Sequence, residues 1–359
     1  MNIKIHSSEL NRMMKTITQC IDTKDITNRA NIEIIWDNNL LSIRACNGQF
    51  AAIMSTPLLG GNGESFCVDG AMFARVCAMC NGEIQISTDE KTCTVRGAGR
   101  TRLPIIGAKI PAYEHVTGKS TVISAEQFSA CYGGVAYAIS ADQTRIQLTG
   151  VNMVTDSTLM NMIALDGFQM SVDYANCEGD AIDAIVPGVF MKLIAQSAVN
   201  GEDITLRTNG QRLEALTDSM MLNCGLISGE YPDWERILPK DFKTTCLVKA
   251  EELRNALKSG SVVNNKQNLV KLEVGESVLK VMNNSEEADY EAEVSCMTQG
   301  EPLKIAFNQK YLMNTINSID TEEITLKFGT SVSPCVAQGR GESGIIYGNR
   351  LVLPVRVMG

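Results

Sequence analysis

The sequence predicts an α+β protein in which helices pack on one face of antiparallel sheets, and three observations support this. The chain has 359 residues, more than the roughly 100–200 of one typical domain. A pattern of helices and strands recurs three times, at intervals of about 120 residues. Each copy combines two amphipathic helices with several short strands of alternating polarity. We therefore expect three repeated domains, at 1–118, 119–242 and 243–359.

Two helices in each copy identify the repeat. The first helix of each copy follows a short strand, begins with small polar or acidic residues, and has equivalent apolar residues at Leu10, Phe128 and Leu253. The second helix recurs in mid-copy and begins at Gly70, Gly188 and Asn308. Similar spacings at both landmarks favour repetition over a chance alternation of helices and strands, which is the alternative.

Strands are predicted between the two helices of each copy. Alternating residues indicate them at 31–36 and 40–45, at 146–154 and 159–165, and at 269–274 and 277–282. Each copy ends near a leucine–proline pair, at Leu103–Pro104, Leu238–Pro239 and Leu353–Pro354. Proline at these positions suits the edge or exit of a strand.

Composition argues against several classes of protein. Hydrophobic residues make up 44% and charged residues 20%, and no apolar run approaches the roughly 20 residues that cross a bilayer, so a soluble chain without membrane contact is expected. The first residues lack the apolar segment of a secretory signal, so a cytoplasmic location is expected. His6 and His115 are the only histidines, which leaves little material for a histidine base. We expect no enzyme activity, no metal and no other cofactor.

The twelve cysteines are interpreted as reduced core thiols rather than a disulfide framework. Those in apolar-periodic segments are Cys20, Cys46, Cys67, Cys77, Cys131, Cys224, Cys246, Cys296 and Cys335. The one C-x-x-C pair, Cys77 and Cys80, lacks the second pair or nearby histidine that a zinc site needs. A thiol enzyme using Cys77 or Cys80 is a weaker alternative. A hydrolase centred on Asp166 is weaker still, because Asp-Gly is most often a turn.

The net charge of −9 argues against a basic surface over the whole protein, but the acids are unevenly distributed. Beyond their first turns, the predicted helices contain no Asp or Glu over the spans 10–21, 71–81, 127–140, 189–200, 253–264 and 309–318. An even distribution would place about 8 of the 41 acids there. The same spans contain the basic residues Arg12, Lys15, Arg75, Lys192, Arg254, Lys258 and Lys310. If these helices line one surface, it suits sequence-independent contact with a phosphate backbone.

Several motifs resemble the family of the bacterial DNA polymerase III β subunit, or sliding clamp. The strongest is Y-P-D-W-E-R-I-L-P at 231–239, which is similar to the family's F-P-D-Y-x-R-x-x-P between the second and third domains. Weaker matches are G-R-T-R-L at 99–103, A-L-D-G-F-Q-M at 164–170, Phe307-Asn308 with Tyr311, and L-P-V-R-V at 353–357. The likeness covers essentially the whole chain, because the length, the repeat and the order of the motifs all agree.

The resemblance implies a head-to-tail homodimer that closes into a ring around duplex DNA and makes the replicative polymerase processive. The DNA polymerase III α subunit, the clamp loader and repair proteins would bind through short, partly apolar clamp-binding peptides. Their pocket, carried over by position, comprises Arg145, Leu148, Leu165, Gly167, Phe168, Met170, Pro232, Arg236, Ile237, Asn308, Tyr311, Val332, Leu353, Pro354, Val355 and Arg356. Leu165, Phe168 and Gln169 replace the family's frequent threonine, histidine and arginine, so the pocket is more apolar and less basic.

For the ring junction, the resemblance implies a basic and apolar edge in the first domain and an acidic segment in the third. The two sets are Arg96, Arg100, Arg102, Leu103 and Ile105, and Glu286, Glu287, Asp289 and Glu291. Opposite charges favour the correct head-to-tail pairing, whereas two independent solvated strands are the alternative. The alternative function is a clamp-fold scaffold that binds peptides without closing a ring. Val357, Met358 and Gly359 extend past the family's usual end, where they would either crowd the pocket or fray.

Overall fold

The computed structural model describes residues 1–22, 30–61, 63–107, 109–263, 268–340 and 346–356, so the tail residues 357–359 lie outside the described part. The chain forms two compact units. The first unit contains Met1–Ser129, Thr155–Thr158 and Cys177–Ile227. The second unit contains Ala130–Val154, Leu159–Asn176 and Ser228–Gly359.

The helices predicted from the repeat are all present, and each begins directly after a strand. The helices are α1 (Ser7–Ile17), α2 (Gly70–Ala78), α3 (Ala125–Val135), α4 (Gly188–Ser197), α5 (Trp234–Ile237), α6 (Ala250–Gly260) and α7 (Gln309–Asn317). Short 3₁₀ turns occupy Thr18–Cys20, Ala136–Ala138 and Ile146–Thr149. The sequence does not predict α5, because four residues are too few to show a helical period.

The strands are short and numerous, as the alternating patterns predict. They are β1 (Asn2–His6), β2 (Asn31–Asp37), β3 (Leu40–Cys46), β4 (Phe50–Pro57), β5 (Glu64–Asp69), β6 (Glu83–Thr88), β7 (Thr92–Arg96), β8 (Arg100–Pro104), β9 (Lys119–Ser124), β10 (Gly150–Thr155), β11 (Leu159–Leu165), β12 (Gln169–Asn176), β13 (Glu178–Gly179), β14 (Asp183–Pro187), β15 (Asp203–Thr208), β16 (Arg212–Leu216), β17 (Met220–Gly225), β18 (Thr244–Lys249), β19 (Leu269–Val274), β20 (Val278–Asn284), β21 (Asp289–Gly300), β22 (Leu303–Asn308), β23 (Glu323–Phe328), β24 (Cys335–Arg340) and β25 (Ile346–Val352).

One strand prediction is wrong in its first half. Residues 146–149 form a 3₁₀ turn, and the strand begins only at Gly150. The Leu148 N–H donates to the Arg145 carbonyl at 2.9 Å, and the Thr149 hydroxyl donates to the Ile146 carbonyl at 2.7 Å. These local hydrogen bonds close the turn, and burial of Leu148 holds it against the core.

The first unit contains two sheets, with strand orders β1-β6-β7-β8 and β13-β9-β15-β16-β17-β4-β3-β2-β5. Helix α1 buries Leu10, Met13, Met14 and Ile17 against the sheet and also packs on α2 and α4. In the larger sheet, β4 and β17 pair antiparallel. This ladder joins the first and second copies of the repeat.

The second unit contains a sheet with the order β10-β11-β12-β25-β24-β23-β18-β21-β20-β19-β22. Here β12 and β25 pair antiparallel, which joins the second and third copies. After β25 the chain crosses to the far edge of this sheet. There Pro354 bridges Phe307, and the Val355 N–H donates to the Ala306 carbonyl at 2.8 Å. Residues 353–356 therefore cover the edge of β22.

All twelve cysteines are free thiols, and most are buried. Cys46 and Cys296 are exceptions to the predicted core set, because both are only half-buried. Cys46 ends β3 on its less buried face, and Cys296 lies where β21 changes its pairing partner. Cys80 and Cys93 are also buried, although the sequence analysis did not place them in the core.

Every helix in the described ranges is too short or too polar to be a membrane-spanning segment.

Candidate functional site

The turn between β11 and β12 is built by Asp166. One carboxylate oxygen accepts the backbone N–H groups of Phe168, at 2.8 Å, and Gln169, at 2.9 Å. The other accepts the Gln169 side-chain amide at 3.0 Å. Gly167 has a φ of +96°, a conformation that favours glycine. Both oxygens of Asp166 thus hold the turn, as the Asp-Gly interpretation predicts, and this leaves the hydrolase alternative without support.

This turn presents an aromatic ring to solvent. The Phe168 ring stacks on Tyr311, with centroids 5.3 Å apart and an interplanar angle of 11°, yet Phe168 remains 53% exposed. Tyr311 lies in the first turn of α7, where the Asn308 side chain caps the helix by accepting the Lys310 and Tyr311 N–H groups. Burial raises the pKa of Tyr311, and the nearby Asp166 charge raises it further. The Leu353 N–H donates to the Phe168 carbonyl at 2.9 Å, which brings the segment after β25 to the same turn.

An apolar floor lies next to this turn. Leu148, Leu165 and Met170 are buried in one core cluster with Val172, Val336 and Leu351. Tyr231, Trp234, Leu238 and Phe242 pack against the same cluster, so the Y-P-D-W-E-R-I-L-P motif covers one side of it. The three predicted pocket residues in the cluster therefore form its floor rather than an open wall.

Two of the predicted pocket cations, Arg145 and Arg236, have partners within the chain. Arg145 Nε donates to Asp142 at 3.1 Å and Nη2 donates to the Asp166 carbonyl at 3.2 Å. Arg236 pairs with Asp233 at 2.9 Å. Both pairs join residues three positions apart in the sequence, and exposed pairs of this kind contribute little to stability.

The other predicted pocket residues surround the turn and the floor. Val332 lies in the turn between β23 and β24 and is 59% exposed. Pro232, Ile237, Leu353, Val355 and Arg356 are exposed, and Pro354 is half-buried. All of the predicted pocket residues belong to the second unit. The β12–β25 ladder, the Phe168–Tyr311 stack and the hydrogen bonds of residues 353–355 connect them.

The basic residues predicted to face DNA fall into two groups. Lys15, Arg75, Lys192, Lys258 and Lys310 are exposed on their helices. Arg12 donates to Glu9 at 2.7 Å, and this hydrogen bond holds the pKa of Glu9 below its usual value. Arg254 is half-buried and donates to the Ile319 carbonyl. The last two side chains therefore support local structure as well as carrying charge.

Most of the predicted basic edge lies on β8, an edge strand of the four-stranded sheet, whereas Arg96 ends the neighbouring β7 and Ile105 follows β8. Arg96, Arg100 and Arg102 are exposed, whereas Leu103 is buried and Ile105 is half-buried. Exposed edge strands present unpaired backbone groups, which can pair with another chain.

The predicted acidic segment lies on and before β21. This strand pairs with β20 through residues 289–295 and with β18 through 296–300. Among the described strands, the second edge of residues 289–295 is therefore unpaired. Asp289, Glu291 and Glu293 are exposed on alternate residues of this segment, and Lys280 pairs with Glu291 at 2.9 Å and with Glu293 at 3.3 Å. The sequence analysis missed Glu293, although its period-2 spacing from Asp289 and Glu291 could have identified it.

Glu286 and Glu287 occupy the turn that precedes β21. Ser285 Oγ accepts the Glu287 N–H at 3.3 Å and the Ala288 N–H at 3.0 Å, and the Ser285 N–H donates to the Ala288 carbonyl. The hydroxyl and the backbone close this turn, and both glutamates are exposed in it.

The thiol candidates are in a poor environment for reactivity. Cys77 and Cys80 are both buried, and the Cys80 thiol donates to the Val76 carbonyl at 3.3 Å. Burial strongly raises the pKa of Cys77, which disfavours the reactive thiolate. In the described part of the chain, no three Cys, His, Asp or Glu side chains gather in a group suited to a metal ion.

Comparison with known proteins identifies the family of the chain. A family model described as the DNA polymerase III beta subunit, central domain, matches residues 122–233, and one described as the C-terminal domain of that subunit matches residues 235–356. The beta sliding clamp of Staphylococcus aureus is 24% identical over 304 residues, with 81% of this chain and 80% of the relative covered. The beta sliding clamp of Lactococcus lactis is 24% identical over 377 aligned positions, with 98% of both covered.

A solved structure has the same fold. The DNA polymerase III beta subunit of Thermotoga maritima superposes with a TM-score of 0.89 at 22% identity, covering 99% of this chain and 100% of the other. The two family models together span most of the chain, and the structural likeness covers nearly all of it. The chain therefore belongs to the family of the DNA polymerase III β subunit.

Proposed function

We propose that this chain is a DNA sliding clamp, a processivity factor that encircles duplex DNA and tethers the replicative polymerase and other clamp-binding proteins. The observation that carries the proposal is the clamp fold over 99% of the chain, combined with helices that lack acids beyond their first turns. The clamp itself catalyses no reaction and acts in the cytoplasm. Its three domains are 1–118, 119–242 and 243–359.

The proposed DNA-facing surface consists of the helices. Exposed Lys15, Arg75 and Lys192 in the first unit and Lys258 and Lys310 in the second supply positive charge on helices that carry no acids beyond their first turns. The net charge of −9 must then come from the remaining surface, which repels DNA. A few phosphate contacts suffice in a ring, since retention on DNA is topological and sliding requires weak individual contacts.

The proposed ring junction joins β8 of one copy to the unpaired edge of β21 in a second copy. Both segments offer backbone groups without a strand partner among the described residues. Arg100 and Arg102 then face an edge that carries Asp289, Glu291 and Glu293. Backbone hydrogen bonds between β8 and β21 set the register of the two strands. The opposite charges of the two edges favour pairing of the first domain of one copy with the third domain of the other, so the contact is head to tail.

The proposed peptide site is the area around Phe168 in the second unit. The buried floor and the exposed Phe168, Leu353 and Val355 offer apolar surface to a short peptide. The DNA polymerase III α subunit, the clamp loader and repair proteins would compete for this area. Such competition is the expected behaviour of one clamp that serves several enzymes.

The first experiment is the solution mass by light scattering, followed by retention on circular compared with linear DNA. The monomer has a mass of 39.0 kDa, so a closed ring has twice that mass and stays on circular DNA but slides off linear ends. The variant Arg100→Glu/Arg102→Glu should dissociate the dimer and abolish this difference. Its matched control, Lys240→Glu/Lys243→Glu, changes the net charge equally but lies off both edges, and should remain dimeric.

A wild-type chain that is monomeric at every concentration would overturn ring closure. The peptide-binding scaffold would then be the better description, because its site requires only the second unit.

A further inference from the structure

A segment of irregular backbone leaves β8 and crosses the nine-stranded sheet of the first unit. We call its described residues, 105–107 and 109–116, the strap. The Ile106 N–H donates to the Cys67 carbonyl on β5 at 2.9 Å, and the Ile110 carbonyl accepts from Arg44 on β3 at 3.2 Å. The first half of the strap is therefore attached to the first copy of the repeat.

The second half of the strap is attached to the second copy. The Glu114 carbonyl accepts from Asn223 Nδ2 on β17 at 3.0 Å. The Glu214 carboxylate on β16 accepts from His115 Nδ1 at 2.9 Å and from the Val116 N–H at 3.3 Å. One segment of the first copy is thus fastened to strands of both copies.

The side chains that hold the strap share one face of the sheet. Glu214 and Asn223 are paired neighbours on β16 and β17, and Asn223 is paired with Ala51 on β4. Ala51 is paired with Cys46 on β3, which lies two residues from Arg44 and therefore on the same face. Between Arg44 and Asn223 the strap passes over the β4–β17 ladder, which joins the two copies.

Glu214 makes the attachment reversible. Its side chain is fully buried, and its donors on the sheet and the strap are Arg207, at 3.4 Å, His115 and the Val116 N–H. Burial raises the pKa of Tyr113, another strap residue, and the nearby Glu214 charge raises it further. A buried carboxylate needs such donors, but water can replace those of the strap when it leaves.

The strap has few apolar contacts that would oppose its release. Among residues 109–116, Ile110 and Val116 are the buried ones, with exposures of 5% and 3%. The exposed ones are Lys109, Pro111, Ala112, Glu114 and His115. Segments held mainly by hydrogen bonds at the surface open at a lower free energy than a core does.

We propose that the strap is a releasable lock on the β4–β17 ladder, and that Glu214 is the residue on which it closes. When docked, the strap holds the two copies together across the ladder, and when released, it lets the ladder open. Because the strap continues directly from β8, the lock also controls how firmly the proposed ring-junction strand is held. That last consequence rests on the proposed function, whereas the lock itself does not.

Tryptic cleavage after Lys109 measures release of the strap in the full-length protein. Lys109 is exposed, but the next residue, Ile110, is buried and hydrogen-bonded to Arg44, so cleavage requires release. Glu214→Gln should accelerate cleavage about ten- to a hundredfold, measured by mass spectrometry as the fragments 1–109 and 110–359. His115→Ala removes one donor from the strap and should accelerate it about three- to tenfold.

The matched control is Glu202→Gln in the same unit. The Glu202 carboxylate accepts from the Val199 N–H and from the Ser219 hydroxyl, both outside the strap. This variant removes the same charge from the second copy, and its rate of cleavage after Lys109 should equal that of the wild-type protein.

Hydrogen exchange measures the ladder itself. In Glu214→Gln, the amides of β4 and β17 should exchange at least about tenfold faster than in the wild-type protein. The amides of β12 and β25 in the second unit should keep their rates, which distinguishes opening of one ladder from a general loss of stability.

Two results would overturn the proposal. Unchanged cleavage after Lys109 in both Glu214→Gln and His115→Ala would mean that Glu214 does not hold the strap. Faster cleavage with unchanged exchange in β4 and β17 would mean that the strap does not lock the ladder. If Glu214→Gln does not fold, His115→Ala decides alone in both measurements, because its side chain is 58% exposed.

Failure of the lock and failure of the clamp function are distinguishable. Cleavage and exchange require no DNA, no peptide and no second copy of the chain. A protein that is monomeric and not retained on circular DNA would refute ring closure, but it would leave the predictions for the strap unchanged.

Discussion

The two units use the same turn to place an aromatic ring, with opposite results. In the first unit, Asn47 Oδ1 accepts the N–H groups of Gln49 and Phe50, as Asp166 does for Phe168 and Gln169 in the second. The ring occupies the fourth position of the first turn, where Phe50 is buried, but the third position of the second turn. Because neighbouring strand residues face opposite sides, a shift of one residue turns a core contact into a surface.

The helix residues that stack on these two rings differ in burial in the same way. Phe190 and Tyr311 are each the third residue of a helix, α4 and α7, and each stacks on the ring of its own unit. Phe190 is fully buried, whereas Tyr311 is only half-buried. The equivalent positions of the repeat thus hold a fully buried ring in one unit and a partly exposed ring in the other.

The largest difference in the free energy of unfolding is expected between variants that truncate the Phe50 ring and the Phe168 ring. Phe50→Ala should lower the free energy of unfolding by about 3–5 kcal/mol, because it leaves a cavity in the core. Phe168→Ala should lower it by less than about 1 kcal/mol, because the ring is largely exposed. Urea unfolding at neutral pH measures both. Equal losses would mean that the Phe168–Tyr311 stack is a structural contact after all.

A second contrast concerns the polar contacts beside the two strand ladders. In the second unit, Arg350 pairs with Asp173 and donates to the Val172 carbonyl, and the two side chains are 4% and 15% exposed. In the first unit, the Thr16 hydroxyl of α1 and the Ser197 hydroxyl of α4 form a hydrogen bond at 2.7 Å. The buried polar contact is therefore an ion pair in the second unit and a neutral hydrogen bond in the first.

Arg350→Met should cost about 3 kcal/mol, because it leaves the Asp173 carboxylate buried without its partner. Thr16→Val should cost only about 1 kcal/mol. Adding Asp173→Leu to Arg350→Met should recover much of the loss, since no buried charge then remains. Chemical denaturation of the three variants provides the comparison, and an absence of recovery would contradict this account.

The smallest expected effect is a difference in pH dependence. Substitutions of Arg12 and Arg254 should change the free energy of unfolding differently as the pH falls. A carboxyl group with a lowered pKa stabilises the fold above its unfolded pKa, near 4.5 for Glu9, and this contribution is lost as the pH falls through the folded value. Arg12→Gln should therefore cost a few tenths of a kcal/mol at pH 7, and the loss should shrink below about pH 4, since the pair is partly exposed.

Arg254→Gln is the matched variant in the second unit, because Arg254 donates to the uncharged Ile319 carbonyl. Its effect on unfolding should change little between pH 7 and pH 4. A parallel pH dependence in the two variants would show that the Arg12–Glu9 pair is not its source.

The sequence predicts the features that depend on local pattern. The helices after β1, β5 and their equivalents follow from apolar periodicity, and the Asp166 turn follows from its Asp-Gly pair. Residues 146–149 were predicted wrongly, because their apolar alternation does not reveal a turn closed by Thr149.

Features that depend on distant segments could not be predicted. The burial of Leu165 and Met170 follows from packing against Val336 and Leu351, which lie far along the chain. The unpaired edge of β21 appears only when its switch from β20 to β18 is known. Gly134 has no sequence signal either, although a Cβ there would lie 1.9 Å from the Asp173 carboxylate.

The packing of Trp234 against the apolar floor of the proposed peptide site gives the chain an optical reporter. The sequence has two tryptophans, and the other, Trp36, lies in the first unit, where its indole N–H donates to the Leu58 carbonyl at 3.1 Å. Replacing Trp36 with phenylalanine leaves all indole emission in the second unit. The intrinsic fluorescence of that variant then reports on ligands and unfolding at α5 without an attached dye.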